Sequence, residues 1–346
     1  MNPSLPILAL ATGDPLSIGP EIMVKALADP RVAGMARFLV LGPAACLRQQ
    51  ARALGAALEF QAVADPQEAR YVPGVVDVLE EGQPDFSAMA PGRVVRAAGE
   101  ASVAYVIRAA RLALQGQAAA VVTGPINKES VQLAGYTEYI GNTEILEDIC
   151  ARHTGKKFAG KCLTMLISKQ LRVAHVLRHV AFKDIVPRLT PEKLEQTIRL
   201  TVLGMMSLGF PQPRVAVAGL NPHNGDGGLM GDEEARLLTP MVDQLKGEGL
   251  NLTGPVPADS VFFRAIHGEF DAVVALYHDQ GHIAVKTHGF EESISVSFGL
   301  PVIRTSVDHG TAFDLAGKGV ASPTSLVESI KMACHIVKTG QWQTAP

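Results

Sequence analysis

Four short polar stretches carry residues able to do chemistry, and each directly follows an apolar run. Asp14 follows LPILALATG, Asn127 and Lys128 follow AVVTGPI, Asn221 and His223 follow RVAVAGL, and His278 and Asp279 follow DAVVALY. The densest is LYHDQGHIAVKTHGF, residues 276–290, with three histidines, an aspartate and a lysine. Neutral imidazoles are ligands for divalent ions, and three of them leave coordination positions open for a substrate, as a catalytic site requires. His223 and His278 sit among turn residues with other polar groups, and HVLRHVAF offers a third ligand in His175 or His179. His153, His267 and His335 read as structural or surface residues, and His282 and His288 as solvent-facing ones. Lys286 and Arg304 are cations suited to an anionic substrate, arginine gripping a carboxylate or phosphate with two parallel hydrogen bonds.

Such groups need elements to hold them. LPILALATGDP, ARFLVLGP, AAAVVTGPINK, LRVAHVL, PRVAVAGLNPHNGD and FDAVVALYHDQG read as short strands, each closed by turn residues. Segments of helical period, EASVAYVIRAARLALQ and PEKLEQTIRLTVLGMMSLG among them, lie between several of these. Apolar strands alternating with helices predict an α/β protein whose largely parallel sheet is covered on both faces. In such sheets the ligand crevice lies outside the carboxyl ends of the strands, where the polar residues fall. No dinucleotide fingerprint is present: GDGGLMG, residues 225–231, has Met230 where the third glycine belongs. GDPLSIGPEI lacks the GK[ST] ending of a phosphate loop, and its Gly19-Pro20-Glu21 reads as a turn feeding a helix. The glycine-rich segment RTSVDHGTAFDLAGKGVASPTS, residues 304–325, can bring its backbone close to a planar or phosphorylated ligand.

Composition narrows the class. The chain has 346 residues, 47% apolar and 19% charged, a size at which one core tends to split in two. A formal charge of −3 supplies no broad basic field, so neither nucleic acid nor an anionic membrane is expected as a partner. No apolar run approaches the roughly 18 residues that span a bilayer. MNPSLPILALATGDP lacks a basic leading region and a small-residue cleavage site, which predicts a cytoplasmic protein without a signal peptide. The scattered Cys46, Cys150, Cys162 and Cys334 fit reduced, mostly buried thiols and argue against a zinc-thiolate site.

Taken together, GDPLSIGPEI, VVTGPINK, GNTE, GLNPHNGD with GDEE, GPVPADSVF, YHDQGHIAVK and GLPVIRTSVDHGTAFDLAG resemble the 4-hydroxythreonine-4-phosphate dehydrogenase family over residues of about 11 to 320. The resemblance implies two α/β/α domains of the isocitrate/isopropylmalate dehydrogenase type with an active-site cleft between them. The first takes residues of about 1–140 and 290–346 and carries the cofactor loop; the second, about 141–289, carries the metal histidines and dimer contacts. The metal ligands it implies are His179, His223 and His278, which decides for His179 over His175, at a homodimer interface to which both subunits contribute. The ion is zinc, or cobalt, nickel, manganese or magnesium. His309, Gly310, Thr311 and Asp314 lie in a stretch similar to an adenosine-binding loop, which accounts for NAD or NADP use without the usual fingerprint. Substrate-binding positions map to Asn142, Thr143, Lys286, Ser295 and Arg304, and Asp259 and Lys286 are the two candidates for the base.

The implied reaction is NAD-dependent oxidation of a secondary alcohol on a phosphorylated substrate, followed by decarboxylation of the 3-keto acid. Four positions depart from the family pattern: Asn142 for the usual histidine, Ser295 for the usual asparagine, and Leu16-Ser17 for the usual Ala-Gly. An amide cannot become cationic as imidazole does, and serine is shorter than asparagine. The substrate expected is 4-hydroxythreonine 4-phosphate, with a place in pyridoxine biosynthesis. The alternative is a four-carbon sugar-acid phosphate such as D-threonate or D-erythronate 4-phosphate. A metal-dependent hydrolase would use the same histidines, but it has no need of the DHGTAFDLAG loop.

Overall fold

Segments such as ILALA, AVVT, VAVA and AVVA form strands buried on both faces, because aliphatic side chains there meet helices on either side of a sheet. The computed structural model describes residues 5–344 apart from 81, 83 and 159. The chain divides into two compact units, one of Met1–Gly160 with Leu300–Lys338, the other of Lys161–Gly299 with Thr339–Pro346.

In the first unit, β1 (Ile7–Ala11), β2 (Arg37–Leu41), β3 (Glu59–Val63), β4 (Val75–Leu79), β5 (Ala120–Thr123) and β12 (Arg304–Val307) lie in the order β3-β4-β2-β1-β5-β12. Every pairing among them is parallel. The helices are α1 (Gly19–Ala28), α2 (Ala44–Leu54), α3 (Arg96–Leu114), α4 (Lys128–Leu133), α5 (Asn142–Thr154) and α11 (Thr324–Thr339). In α3 the buried Ala98, Ala101, Ser102, Tyr105, Val106, Ala109 and Leu112 recur every three or four residues, the stripe that seats a helix on a sheet. The chain leaves β1 on one side toward β2 and crosses from β4 to β5 on the other, so the ends of β1 and β5 form a topological switch point. There the backbones nearly touch. A Cβ on Gly13, whose φ is +82°, would lie 2.1 Å from the Pro125 carbonyl oxygen, and one on Gly124 would lie 2.3 Å from that of Thr12. Only glycine fits at either position.

In the second unit, β6 (Leu163–Ser168), β7 (Leu171–His175), β8 (Val215–Ala218), β9 (Leu252–Val256), β10 (Ala272–Ala275) and β11 (Ile294–Phe298) lie in the order β11-β6-β7-β10-β8-β9. β7, β10, β8 and β9 are parallel, while β6 runs antiparallel to both its neighbours. The reversal has a local cause: only Lys169 and Gln170 separate β6 from β7, and a two-residue turn cannot make a parallel crossover. Helices α6 (Ile185–Arg188), α7 (Pro191–Ser207), α8 (Thr239–Gly247), α9 (Ala258–Ile266) and α10 (His278–His288) complete the unit. α7 opens with Thr190 accepting from the Lys193 amide and with Pro191 in the first turn, a strong start signal. Because β7, β8 and β10 are parallel, the residues after His175, Ala218 and Ala275 emerge at one edge. Among the described residues no helix is long and apolar enough to cross a membrane, and no disulfide links the four cysteines.

Candidate active site

The edge of the second unit collects imidazoles. His175 closes β7, is 4% exposed, and neither of its ring nitrogens has a hydrogen-bond partner. Burial holds its pKa well below the ordinary histidine value, with His282 and His278 adding to the effect, so this ring is neutral. His282 lies against it at 4.6 Å between ring centroids and stacks on His278 at 3.6 Å and 12°. His179 follows at 5.9 Å from His278. His282 is therefore half-buried in a row of four rings, where the sequence placed it in solvent.

His278 opens α10, and its Nδ1 lies 2.7 Å from Oδ1 of Asp279. A carboxylate on one ring nitrogen fixes the tautomer and turns the other nitrogen outward as a ligand. Two imidazoles on one ion, each with its nitrogen at about 2.1 Å, place their centroids roughly 5–6 Å apart. The 5.9 Å separation of His179 and His278 fits that arrangement. Gln280 ties the site together, its Oε1 accepting from the Leu276 amide at 2.7 Å and its Nε2 donating to the Gly219 carbonyl at 2.8 Å. These contacts join the end of β10 to the end of β8.

His223 sits on an unusual piece of backbone. From His223 to Gly227 five successive residues have positive φ, three of them not glycine. Left-handed conformations cost free energy in side-chain-bearing residues and persist only where the surroundings enforce them. Here the enforcement comes from Glu234, 5% exposed, on a π-helical turn that runs into α8. Its carboxylate accepts from the Leu220 and Asn221 amides at 2.8 and 2.7 Å and from Asn221 Nδ2 at 2.9 Å. Asn224 Nδ2 adds a bond to the Pro255 carbonyl at 2.9 Å. His223 lines a cavity of about 610 Å³ with Phe182, Asn221, Asp259, Tyr277 and Gln280. Among the described residues of this one chain no three histidine, cysteine, aspartate or glutamate side chains converge to hold a metal ion. Lys286, on α10, donates to Ser293 Oγ at 3.2 Å and lies 5.0 Å from the Phe290 ring centroid; Ser295 is buried in β11.

The first unit holds a second polar group. Arg304, 4% exposed at the start of β12, donates from Nε and Nη2 to Thr123 Oγ1 at 3.1 and 2.9 Å. Asn142 opens α5 and donates from Nδ2 to the same oxygen and to the Gly124 carbonyl, both at 3.2 Å; Thr143 beside it is buried. Nearby in sequence to β12, the glycine-rich loop is clamped to α1. Glu21 accepts from the Gly319 and Ala321 amides at 3.2 and 2.7 Å, while Lys25 pairs with Glu21 at 2.8 Å and donates to the carbonyls of the same two residues. Thr311 accepts from the Ile18 amide at 3.3 Å, and Ala312 is held at φ +40°. His309 Nδ1 lies 2.9 Å from the Gly310 carbonyl oxygen, and the Asp314 carboxylate is exposed. A cavity of about 410 Å³ opens beside the loop, lined by Leu16, Ser17, Gln49, Met89, Lys318 and Gly319.

The sequence pointed to neither Thr123 nor Glu21 nor Glu234 as part of these groups. Glu21 read only as part of the turn that feeds α1, because its partner Ala321 lies 300 residues away. Glu234 belongs to GDEE, a motif visible in the sequence whose carboxylate target was not.

A family model described as pyridoxal phosphate biosynthetic protein PdxA matches residues 34–333. The chain is 41% identical over 330 residues to the D-threonate 4-phosphate dehydrogenase of Salmonella typhimurium, covering 95% of this chain and 98% of that protein. It is 40% identical over 343 residues to the 4-hydroxythreonine-4-phosphate dehydrogenase of Trichlorobacter lovleyi, covering 98% and 100%. Among solved structures, the 4-hydroxythreonine-4-phosphate dehydrogenase of Klebsiella pneumoniae superposes with a TM-score of 0.85 at 39% identity, covering 97% and 99% of the two chains. Matched along nearly all of its length in both sequence and fold, the chain belongs to the family of the pyridoxal phosphate biosynthetic protein PdxA.

Proposed function

We propose that this chain is an NAD-dependent, divalent-metal-dependent dehydrogenase that oxidises the 3-hydroxyl of 4-hydroxythreonine 4-phosphate or a close analogue, the 3-keto acid product then losing CO₂. The observation that carries the reading is His278, oriented by Asp279 and standing 5.9 Å from His179 in a chain whose relatives are named dehydrogenases. That naming leaves the hydrolase alternative without support.

His179, His223 and His278 would hold the ion, with zinc, cobalt, nickel, manganese or magnesium as candidates. When bound, the ion supplies a Lewis acid for the substrate hydroxyl. Arg304, Lys286 and Thr143 bind the anionic groups, and Ser295 shapes the pocket. Asp259 or Lys286 takes the hydroxyl proton; Asp259 shares a cavity with His223, which supports the carboxylate. His309, Gly310, Thr311 and Asp314 would hold the adenosine end of the cofactor, next to the 410 Å³ cavity. The exposed Asp314 carboxylate suits a ribose hydroxyl and would repel a 2′-phosphate, which favours NAD over NADP.

A homodimer completes the site in this reading. The second unit leaves Phe182, Leu229 and Phe290 exposed at 81%, 87% and 67%, apolar surface that a second copy would cover. Four thiols without a disulfide fit a reducing compartment, the cytoplasm. A second reading, D-threonate or D-erythronate 4-phosphate as substrate, is favoured by Asn142 and Ser295.

The test is NADH formation with added divalent ion, comparing the three 4-phosphates, with His223→Ala as control. Turnover of at least one, lost in the variant, is the expected result. NADH from none of them, with the cofactor still bound, would sink the substrate class.

A further inference from the structure

We propose that Arg178 is a specificity-determining residue that grips the C1 carboxylate of the substrate beside the metal ligands. The proposal rests on the reading of His179 and His278 as ligands in a dehydrogenase of four-carbon acid phosphates.

The backbone fixes where Arg178 stands. Beyond β7 the Val176 and Leu177 amides still donate to the carbonyls of Ala275 and Leu276, at 2.9 and 3.1 Å. The segment that bears Arg178 therefore runs beside the chain that enters α10 at His278. The Val180 amide then donates to the Arg178 carbonyl at 3.0 Å, closing a three-residue turn centred on His179. The Arg178 side chain crosses to β6, where its Nη1 donates to Thr164 Oγ1 at 2.8 Å. Thr164 is two residues before Leu166 on the strand and so shares its face, and Leu166 packs in one core with Val285 of α10. Met165 pairs with Ala174, which sets Thr164 level with His175. Ser295, the proposed substrate contact, pairs with Leu166 and lies on the same face. Arg178 thus reaches along the side of the sheet that carries the row of imidazoles.

Arg178 is half-buried, yet among the described residues no carboxylate pairs with it and the rest of its fork has no hydrogen-bond partner. The half-buried Thr164 accepts from it and donates its own hydroxyl hydrogen to no described residue. A partly desolvated cation without a counter-charge is completed by an anion. The carboxylate is the anion that fits. Only C2 separates the carboxyl carbon from the reacting C3, whereas C4 and an ester oxygen separate C3 from phosphorus. A cation adjoining His179 in the chain meets the nearer group. A planar fork also takes both oxygens of a carboxylate at once and fixes its plane. Loss of CO₂ benefits from that control, because the C1–C2 bond breaks as its electron pair passes into the enolate of the C3 ketone. The bond must stand across the plane of that carbonyl. CO₂ leaves without charge, so the contribution of Arg178 lies in binding and orienting the acid.

Calorimetric titrations of the full-length protein with zinc present and NAD absent, so that no oxidation occurs, test this. The ligands are 4-hydroxythreonine 4-phosphate and D-threonate 4-phosphate, each beside its C1 amide and its unphosphorylated form. Wild type should bind at least one acid about tenfold or more tightly than its amide, and Arg178→Gln should bring the two within about twofold. Preference for the 4-phosphate over the unphosphorylated acid should be the same in both proteins. Arg178→Lys, which keeps the charge without the fork, should fall between them, and it decides the matter if the glutamine variant does not fold. Equal affinity for acid and amide in wild type, or a ratio unmoved in the variants, would reduce Arg178 to a strut on Thr164 and overturn the proposal. Loss of the 4-phosphate preference in its place would overturn it as well, since the fork would then read phosphate. Those results leave the proposed function standing, whereas a wild type that bound neither acid would remove the proposed function and this assignment together.

Discussion

At the scale of single residues, Asp14 illustrates what burial does to a carboxyl group. It is fully buried behind β1, where the Leu16 amide donates to Oδ1 at 2.9 Å and the Ser130 hydroxyl lies close enough to favour the charged form. Burial outweighs the hydrogen bonds from Leu16 and Ser130 and raises its pKa to about 6. The folded protein thus takes up this proton near pH 6 and the unfolded chain near pH 4. Between those values the folded state binds more protons, so the stability this residue contributes is complete below about pH 4 and is lost as the pH rises through 6. The full swing is about 3 kcal/mol. Asp14→Asn should flatten the dependence of the urea midpoint on pH between 4 and 7; parallel curves for variant and wild type would show that Asp14 is not protonated in the fold. The sequence marked Asp14 as a strand-end polar residue but could not reveal its burial. The same limit applied to HVLRHVAF, whose two histidines look alike as letters. His175 points inward, so close to α10 that a Cβ on Gly281 would lie 2.2 Å from its Nε2, while His179 stands beyond the strand near His278.

At the scale of elements, the strands were the most legible feature, because a run buried on both faces is apolar throughout. The polar residues following β1, β5, β8 and β10 could be placed for the same reason: within each unit, parallel strands deliver their carboxyl ends to one edge. What stayed hidden were the carboxylates that hold the loops, since their partners are backbone amides and no residue type announces them. Glu21 is such a clamp, 1% exposed and bonded to two amides of the loop after β12, with Lys25 closing the arrangement. Glu21→Ala leaves those amides unpaired and strips Lys25 of its ion partner. Lys25 retains some solvent, so the expected loss is about 2–3 kcal/mol of stability, less than for a wholly buried pair. If the loop carries the cofactor and His179 and His278 hold the ion, the variant should also bind NAD several-fold more weakly and bind metal as wild type does. Titrations of NAD and of metal by calorimetry separate the two effects, and unchanged NAD affinity in a destabilised variant would reduce the clamp to a structural device.

At the scale of the whole molecule, composition gave no reason to expect nucleic-acid or membrane partners, and it could not say how many chains make one site. His179 and His278 face each other within one chain at a separation two ligands of one ion would have, whereas His223 stands on its own strained loop. If His223 reaches a partner's pair, each site takes two histidines from one subunit and one from the other. Inactive His179→Ala and inactive His223→Ala subunits, dissociated and reassembled together in equal amounts, would then form mixed dimers in half of the population. Each mixed dimer has one site with all three histidines and one site with a single histidine, so activity should return to about a quarter of wild type. If all three ligands belong to one chain, every site in every dimer lacks a histidine and mixing restores nothing. Sedimentation of each variant alone must first show the wild-type assembly, since His179→Ala or His223→Ala could otherwise fail by not pairing. With that established, recovery or silence assigns His223 to one side of the interface or the other.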